Sequence, residues 1–179
     1  MRNLLRGTAV AALALAIGAA PVFATNPGAK PGPDTIVAIV LADDGEFDVL
    51  QAAVIEAGLA GALSSTDDQY TVFAPTDAAF VATFRALLGN ATLTESDVIA
   101  FINAGGVDTA LGDGALANIL LFHVTNGRRT SNSVIHAPQY RMLNGERLTR
   151  AQLLDAGIVA TDISASNGVI HVIGSVLLP

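Results

Sequence analysis

The segment Tyr70-Thr-Val-Phe-Ala-Pro-Thr-Asp-Ala-Ala-Phe80 constrains the fold of this chain more than any other stretch. Tyr70 to Phe73 is rich in aromatic and β-branched side chains, which suit a packed, pleated surface. Pro75 lacks an N–H and disfavours helical geometry at Ala74, so a strand must end there. Thr76 or Asp77 can then cap a new helix by accepting a bond from one of its unpaired N–H groups. Phe80 and Phe84 share one face of that helix, and burying each ring against the strand contributes about 1.5–3 kcal/mol. The segment predicts a strand–proline–helix corner, a folding device that requires no chemistry.

Such a corner needs a core, and composition shows that hydrophobic packing must supply it. The chain has no cysteine, so neither a disulfide framework nor a cysteine-linked lipid anchor is available. The first 24 residues read as a signal peptide: Arg2 and Arg6 form a positive start, and Val10 to Ala20 is apolar but too short to span a bilayer. Val22-Phe23-Ala24 fits a small-x-small cleavage pattern, with cleavage before Thr25. The remaining 155 of 179 residues suffice for one domain with a sizeable core. Removing Arg2 and Arg6 leaves 7 basic against 16 acidic residues, a net −9. That balance argues against nucleic acid and anionic lipid as partners.

Residues 25–33, rich in Pro and Gly, read as a flexible arm, and a single domain is expected over 34–179. Asp34 can cap a first helix with Ile36, Ile39 and Val40 on one face. A second carries Phe47, Leu50, Val54 and Ala57 and stops at Gly58, and a brief turn through Leu59 to Leu63 follows. After the corner, Thr94 and Asp97 frame a near capping box for a helix with Val98, Phe101 and Ile102 on its apolar side, ended by Gly105-Gly106. Leu116, Ile119 and Leu120 mark another helix running into Phe122-His123. Beyond it the period changes: strands are expected over Val124–Thr130, broken at Asn126-Gly127, over Tyr140–Leu143, over Ile158–Asp162 and over Val169–Val176. Ser133–His136 is extended or helical. The last two strands carry apolar residues on both faces, as central strands do. Helices first and strands later predict an α+β domain, a helical cluster packed against a β-sandwich-like wedge.

Tyr70–Phe80 resembles the first signature box of the fasciclin (FAS1) domain family. Asn118-Ile-Leu-Leu-Phe-His-Val-Thr-Asn-Gly127 is similar to the family's Leu-x-x-His-Val box, and Ala160–Pro179 resembles its closing segment nearly throughout. Three boxes in the family's order cover roughly Pro33 to Pro179. The resemblance implies the same α+β architecture and a role in adhesion or interaction at the cell surface or in extracellular matrix. It also implies a longer strand pair between the second and third boxes. Here Leu148–Gly157 is short and partly helical, so one hairpin is trimmed or missing.

The candidate site residues are few. His123 sits at a helix-to-strand junction, where a buried imidazole bonded to backbone competes with a base, a ligand or a partner contact. In some animal members a tyrosine–histidine pair with apolar neighbours at this place is linked to integrin binding. Phe122 replaces the tyrosine here, and Phe122, His123, Val124 and Asn126 form the candidate partner-binding set. His136 and His171 stand at no metal spacing, and no cofactor or metal is expected. Ser131 or Ser133 with His136 and Asp155 offers hydrolase residue types without a strained serine turn. Asp43, Asp44, Glu46 and Asp48 are acidic, but Val54 occupies the twelfth position a calcium loop needs for Glu. Asn90-Ala-Thr92 matches a glycosylation pattern relevant only in a eukaryote. Arg128-Arg129 is the one adjacent basic pair after cleavage.

The reading that results is a secreted or periplasmic, non-enzymatic fasciclin-like interaction module. Its expected partner is an extracellular or cell-envelope protein or polysaccharide, with no stable membrane insertion after cleavage. A carrier of a small apolar or sugar-like ligand, held in a crevice between helices and sheet, is the alternative. A hydrolase ranks third.

Overall fold

In the computed structural model, which describes residues 32–42 and 45–179, three short helices lead in: α1 (Ile36–Val40), α2 (Asp48–Glu56) and α3 (Ala60–Leu63). The signature corner follows as β1 (Tyr70–Pro75) and α4 (Asp77–Leu88). Next come α5 (Glu95–Asn103), α6 (Gly106–Leu111), α7 (Ala115–Phe122) and β2 (Val124–Asn126). The remainder is α8 (Ser131–His136), β3 (Gln139–Arg141), β4 (Arg147–Thr149), α9 (Arg150–Asp155), β5 (Ile158–Ala165) and β6 (Gly168–Ile173). The signal segment 1–24, residues 25–31 of the expected arm, and Asp43-Asp44 lie outside the described residues.

β1 and β6 run parallel at the centre of a four-stranded sheet ordered β2-β1-β6-β5, and β3 pairs with β4 in a separate two-stranded ribbon. Strand alternation divides the core in two. Val72, Ala74, Ile170 and Val172 face a helical layer carrying Val37, Leu50, Val54, Phe80, Phe84, Val98 and Leu120. Phe73 and Ile173 face the opposite way, onto Phe122, Tyr140, Leu148 and Leu153. The fold is therefore α+β, with helices covering one face of the sheet and the ribbon with its helices covering the other.

Gly168 makes the central pairing possible: a Cβ there would collide with the carbonyl oxygen of Tyr70 across the β1–β6 register.

Several local expectations shift. β6 is buried along its whole length, but β5 is an edge strand with Val159 64% exposed, not a second central strand. Its apolar outer residues make β5 look central in sequence. Leu59–Leu63 holds a short helix instead of a turn. Gly105-Gly106 ends α5 and also starts α6, because Gly105 at φ 67° is the N-cap of the next helix. The strand from Val124 stops at Asn126 and does not resume before Thr130. The Leu148–Gly157 stretch is partly helical: its first residues complete β4 of a ribbon three residues long on each strand, and α9 follows.

Helix capping follows two rules. Local caps lie where the sequence places them: the Thr76 hydroxyl accepts from Ala79 N–H in α4, and Thr94 with Asp97 forms a full capping box on α5. A second box, Thr149 with Gln152, opens α9. Thr35, not Asp34, caps α1. Four helices also receive a distant side chain. Asn167 Oδ1 accepts from Ile36 N–H in α1, the Asp77 carboxylate from Asp48 and Val49 N–H in α2, Asp108 from Leu116 N–H in α7, and Asp162 from Ser131 N–H in α8. In α2, α7 and α8 no N-cap side chain makes that bond. These remote caps tie the helices to the sheet and to one another.

Candidate functional site

The junction after α7 is built inward. Phe122, His123 and Val124 are 1–2% exposed, and Asn126 alone of the candidate set is exposed. Phe122 and Val124 fill the two core clusters, so of the candidate partner-binding set only Asn126 presents an exposed side chain. His123 Nε2 accepts from Leu177 N–H at 2.9 Å, so its proton sits on Nδ1, which donates to the Ile119 carbonyl at 2.8 Å. Burial lowers its pKa to about 4, against the opposing effect of the Ile119 bond, and the ring stays neutral at physiological pH. A neutral imidazole with both nitrogens bonded to backbone is a lock between α7 and the closing segment. It is not positioned to move a proton.

His171 is arranged the same way. It is fully buried, stacked on Phe73 with centroids 5.8 Å apart. Nδ1 accepts from Asp162 N–H, and Nε2 donates to the Arg129 carbonyl at 2.9 Å. Burial is the main cause of its lowered pKa. His136 is exposed at the end of α8, with Nδ1 against the Asn132 carbonyl.

The serine candidates have structural roles. Ser131 gives both its hydroxyl and its backbone N–H to the Asp162 carboxylate, so the pair closes the first turn of α8. Ser133 is exposed, and its carbonyl accepts from the buried Tyr140 hydroxyl. Asp162 itself sits at φ 61° in the irregular part of β5, a conformation that aspartate tolerates. Its carboxylate reaches α8 from there, a role the sequence does not signal.

Among the described residues, Asp48, Asp77 and Glu95 bring carboxylate oxygens within 4.8 Å of one another, near enough to share a cation. Both oxygens of Asp77 already accept backbone N–H bonds from α2. Desolvation raises the Glu95 pKa first, and Asp77 and Asp48 add to it. Asp77 is a helix cap in this arrangement. Arg128 is also internal in function: its guanidinium donates to the Ala165 and Gly168 carbonyls and to the Ser164 hydroxyl, clamping the β5–β6 turn.

Among the open depressions formed by the described residues, two of about 310 Å³ bear on a ligand or partner. One is an apolar groove between α4, α6, α7 and the closing segment, with Leu87, Leu111 and Leu178 at its rim. The other is polar and lies where β2 meets the ribbon, lined by Asn126, Arg129, Arg141, Met142 and Leu143 among others.

Comparison with known proteins agrees with this architecture. The model of the Fasciclin domain matches residues 45–179. Protein sll1483 of Synechocystis sp. is 34% identical over 154 residues, covering 81% of this chain and 73% of its own length. The transforming growth factor-beta-induced protein ig-h3 of Sus scrofa is 33% identical over 150 residues, which is 78% of this chain and 19% of that protein. Among solved structures, a FAS1 domain pair from the insect cell adhesion molecule Fasciclin I superimposes with a TM-score of 0.54 at 16% identity. That match covers 83% of this chain and 52% of the pair, and it shows the shared fold.

Proposed function

This chain belongs to the fasciclin domain family, and on that premise we propose that it is a secreted, non-enzymatic interaction module for an extracellular or cell-envelope protein or polysaccharide. One observation carries the reading: the residues with chemical potential in the family boxes are engaged inside the fold. His123, His171, Asp77 and Asp162 hold backbone groups, so recognition falls to the surface. Within the second box Asn118 and Asn126 face outward, and Asn126 lies beside the polar depression. No helix among the described residues is long and apolar enough to cross a membrane, and the N-terminal signal pattern motivates placing the protein outside the cytoplasm. Incubating the purified protein with cell-envelope and matrix fractions tests the reading. Saturable retention that survives washing is expected, and no retention on any fraction across salt and pH overturns it.

The apolar groove supports a second reading, a carrier for a small apolar ligand. Native mass spectrometry of protein purified from its host distinguishes the two: a carrier shows a bound mass, an interaction module an apo mass.

A further inference from the structure

Basic charge among the described residues is concentrated in one place. Of the six basic residues among the described residues, Arg128, Arg129, Arg141, Arg147 and Arg150 all fall within residues 128–150, where Glu146 is the single acid. The whole chain carries a net −7. Arg128 is engaged internally, but Arg129 and Arg141 line the polar depression between β2 and the β3–β4 ribbon. Arg129 is held over the Tyr140 ring at 5.4 Å, and its buried Nε finds no acceptor among the described residues. Arg141 is exposed and stands directly opposite Arg147 in the ribbon register. Like charges paired across strands destabilise a ribbon; Arg147 reaches the neutral Gln139 Oε1 at 3.5 Å, and neither arginine forms an ion pair among the described residues. Such a pair is most stable with an anion between or beside its members.

We propose that this pocket binds a uronate-bearing polysaccharide, with Arg129 and Arg141 gripping one sugar carboxylate. The arginine fork matches a carboxylate in two parallel hydrogen bonds. Asn126 has an exposed amide, a donor and an acceptor suited to sugar hydroxyls. Leu143, half-buried at the rim, supplies apolar wall for the face of a sugar ring. Arg147, across the ribbon from Arg141, meets the next carboxylate of a repeating chain, which an isolated acidic side chain does not offer. The acidic remainder of the protein does not prevent this: at physiological ionic strength charges beyond about 8 Å are largely screened, so the approaching anion senses the nearby arginines.

The inference rests on the interaction-module reading and names its partner. Calorimetric titration with a galacturonic acid tetramer, a neutral galactose tetramer and a pentaglutamate peptide tests it. Saturable binding of the uronate is expected, weaker as salt rises, with the neutral sugar and the peptide binding at least tenfold less tightly. Arg141→Gln, at an exposed position, weakens uronate binding by about tenfold or more, the effect of one lost charge-assisted bond. Arg147→Gln weakens it less, and both variants keep the wild-type circular dichroism. The absence of uronate binding at low salt, equal binding by Arg141→Gln, or binding of the neutral sugar or the peptide as tight as the uronate would each overturn the proposal. If the protein is retained on matrix fractions and Arg141→Gln is retained equally, the broader reading stands and this one fails.

Discussion

The centre of the sheet and the ribbon that flanks it are built to opposite specifications. β1 and β6 carry two of the family boxes, and nearly every polar group there is buried and bonded: Thr71, Asn167 and His171 are at most 1% exposed. The stretch 128–150 contributes a few anchors to the core, Val134, Tyr140 and Leu148, and otherwise presents exposed arginines without an ion-pair partner among the described residues. The contrast teaches that polar groups in the central strands are spent on holding the fold, whereas the arginines of 128–150 include several left at the surface. Stability and recognition should therefore separate under mutation.

The largest expected effect is on the fold. Asn167 Oδ1 accepts from Ile36 N–H, and its amide donates to the Leu63 and Ser65 carbonyls. Asn167→Ala orphans three backbone groups and should cost about 3–5 kcal/mol, read as a lower urea midpoint. Acid comes next. His123 has a folded pKa of about 4 against 6.5 for the free side chain, so its contribution is complete above 6.5 and is lost as pH falls toward 4. Through that window the unfolded chain binds a proton that the folded chain refuses, a loss of about 3 kcal/mol when complete. His171, also lowered, acts in the same direction. Urea unfolding from pH 7 to 4 should show a falling stability whose acid limb shrinks in His123→Gln, which can keep one donor and one acceptor; a pH-independent midpoint would contradict the buried neutral imidazole. Thr94→Ala removes the exposed α5 capping box and should cost about 1 kcal/mol by thermal melting. Arg147→Gln is the smallest, within about 0.5 kcal/mol of wild type, with any shift toward greater stability because it relieves the pair with Arg141.

What could be read ahead of the structure follows the range of the interactions. The strand–proline–helix corner, the Thr94 box and the left-handed Gly89 that closes α4 depend on neighbours a few residues away, and each has a local signature. In sequence Asp77 reads as a helix-start residue, and Asn167, followed by Gly168, has the composition of a turn. Their principal bonds reach 28 and 131 residues along the chain, and no local pattern announces such a bond. β5 misled for a related reason: an edge position is a property of the assembled sheet, and its apolar outer residues resemble those of a central strand. At the candidate site, the bonded state of His123 was one of the readings open to sequence. The burial of Phe122 and Val124 was not separable from a binding surface, since apolar residues beside a junction serve either end. The pairing of Arg141 with Arg147 needs the register of β3 and β4, and charge clustering over 128–150 was the signal that could have pointed to it.

The separation of fold from recognition can be measured in one comparison: the unfolding free energy and the matrix retention of Arg141→Gln beside those of the wild-type protein. An unfolding free energy within about 0.5 kcal/mol of wild type, the range typical of exposed substitutions, together with a marked loss of retention, is the predicted result. Undiminished retention, or a loss of retention that merely follows a loss of stability, would contradict it.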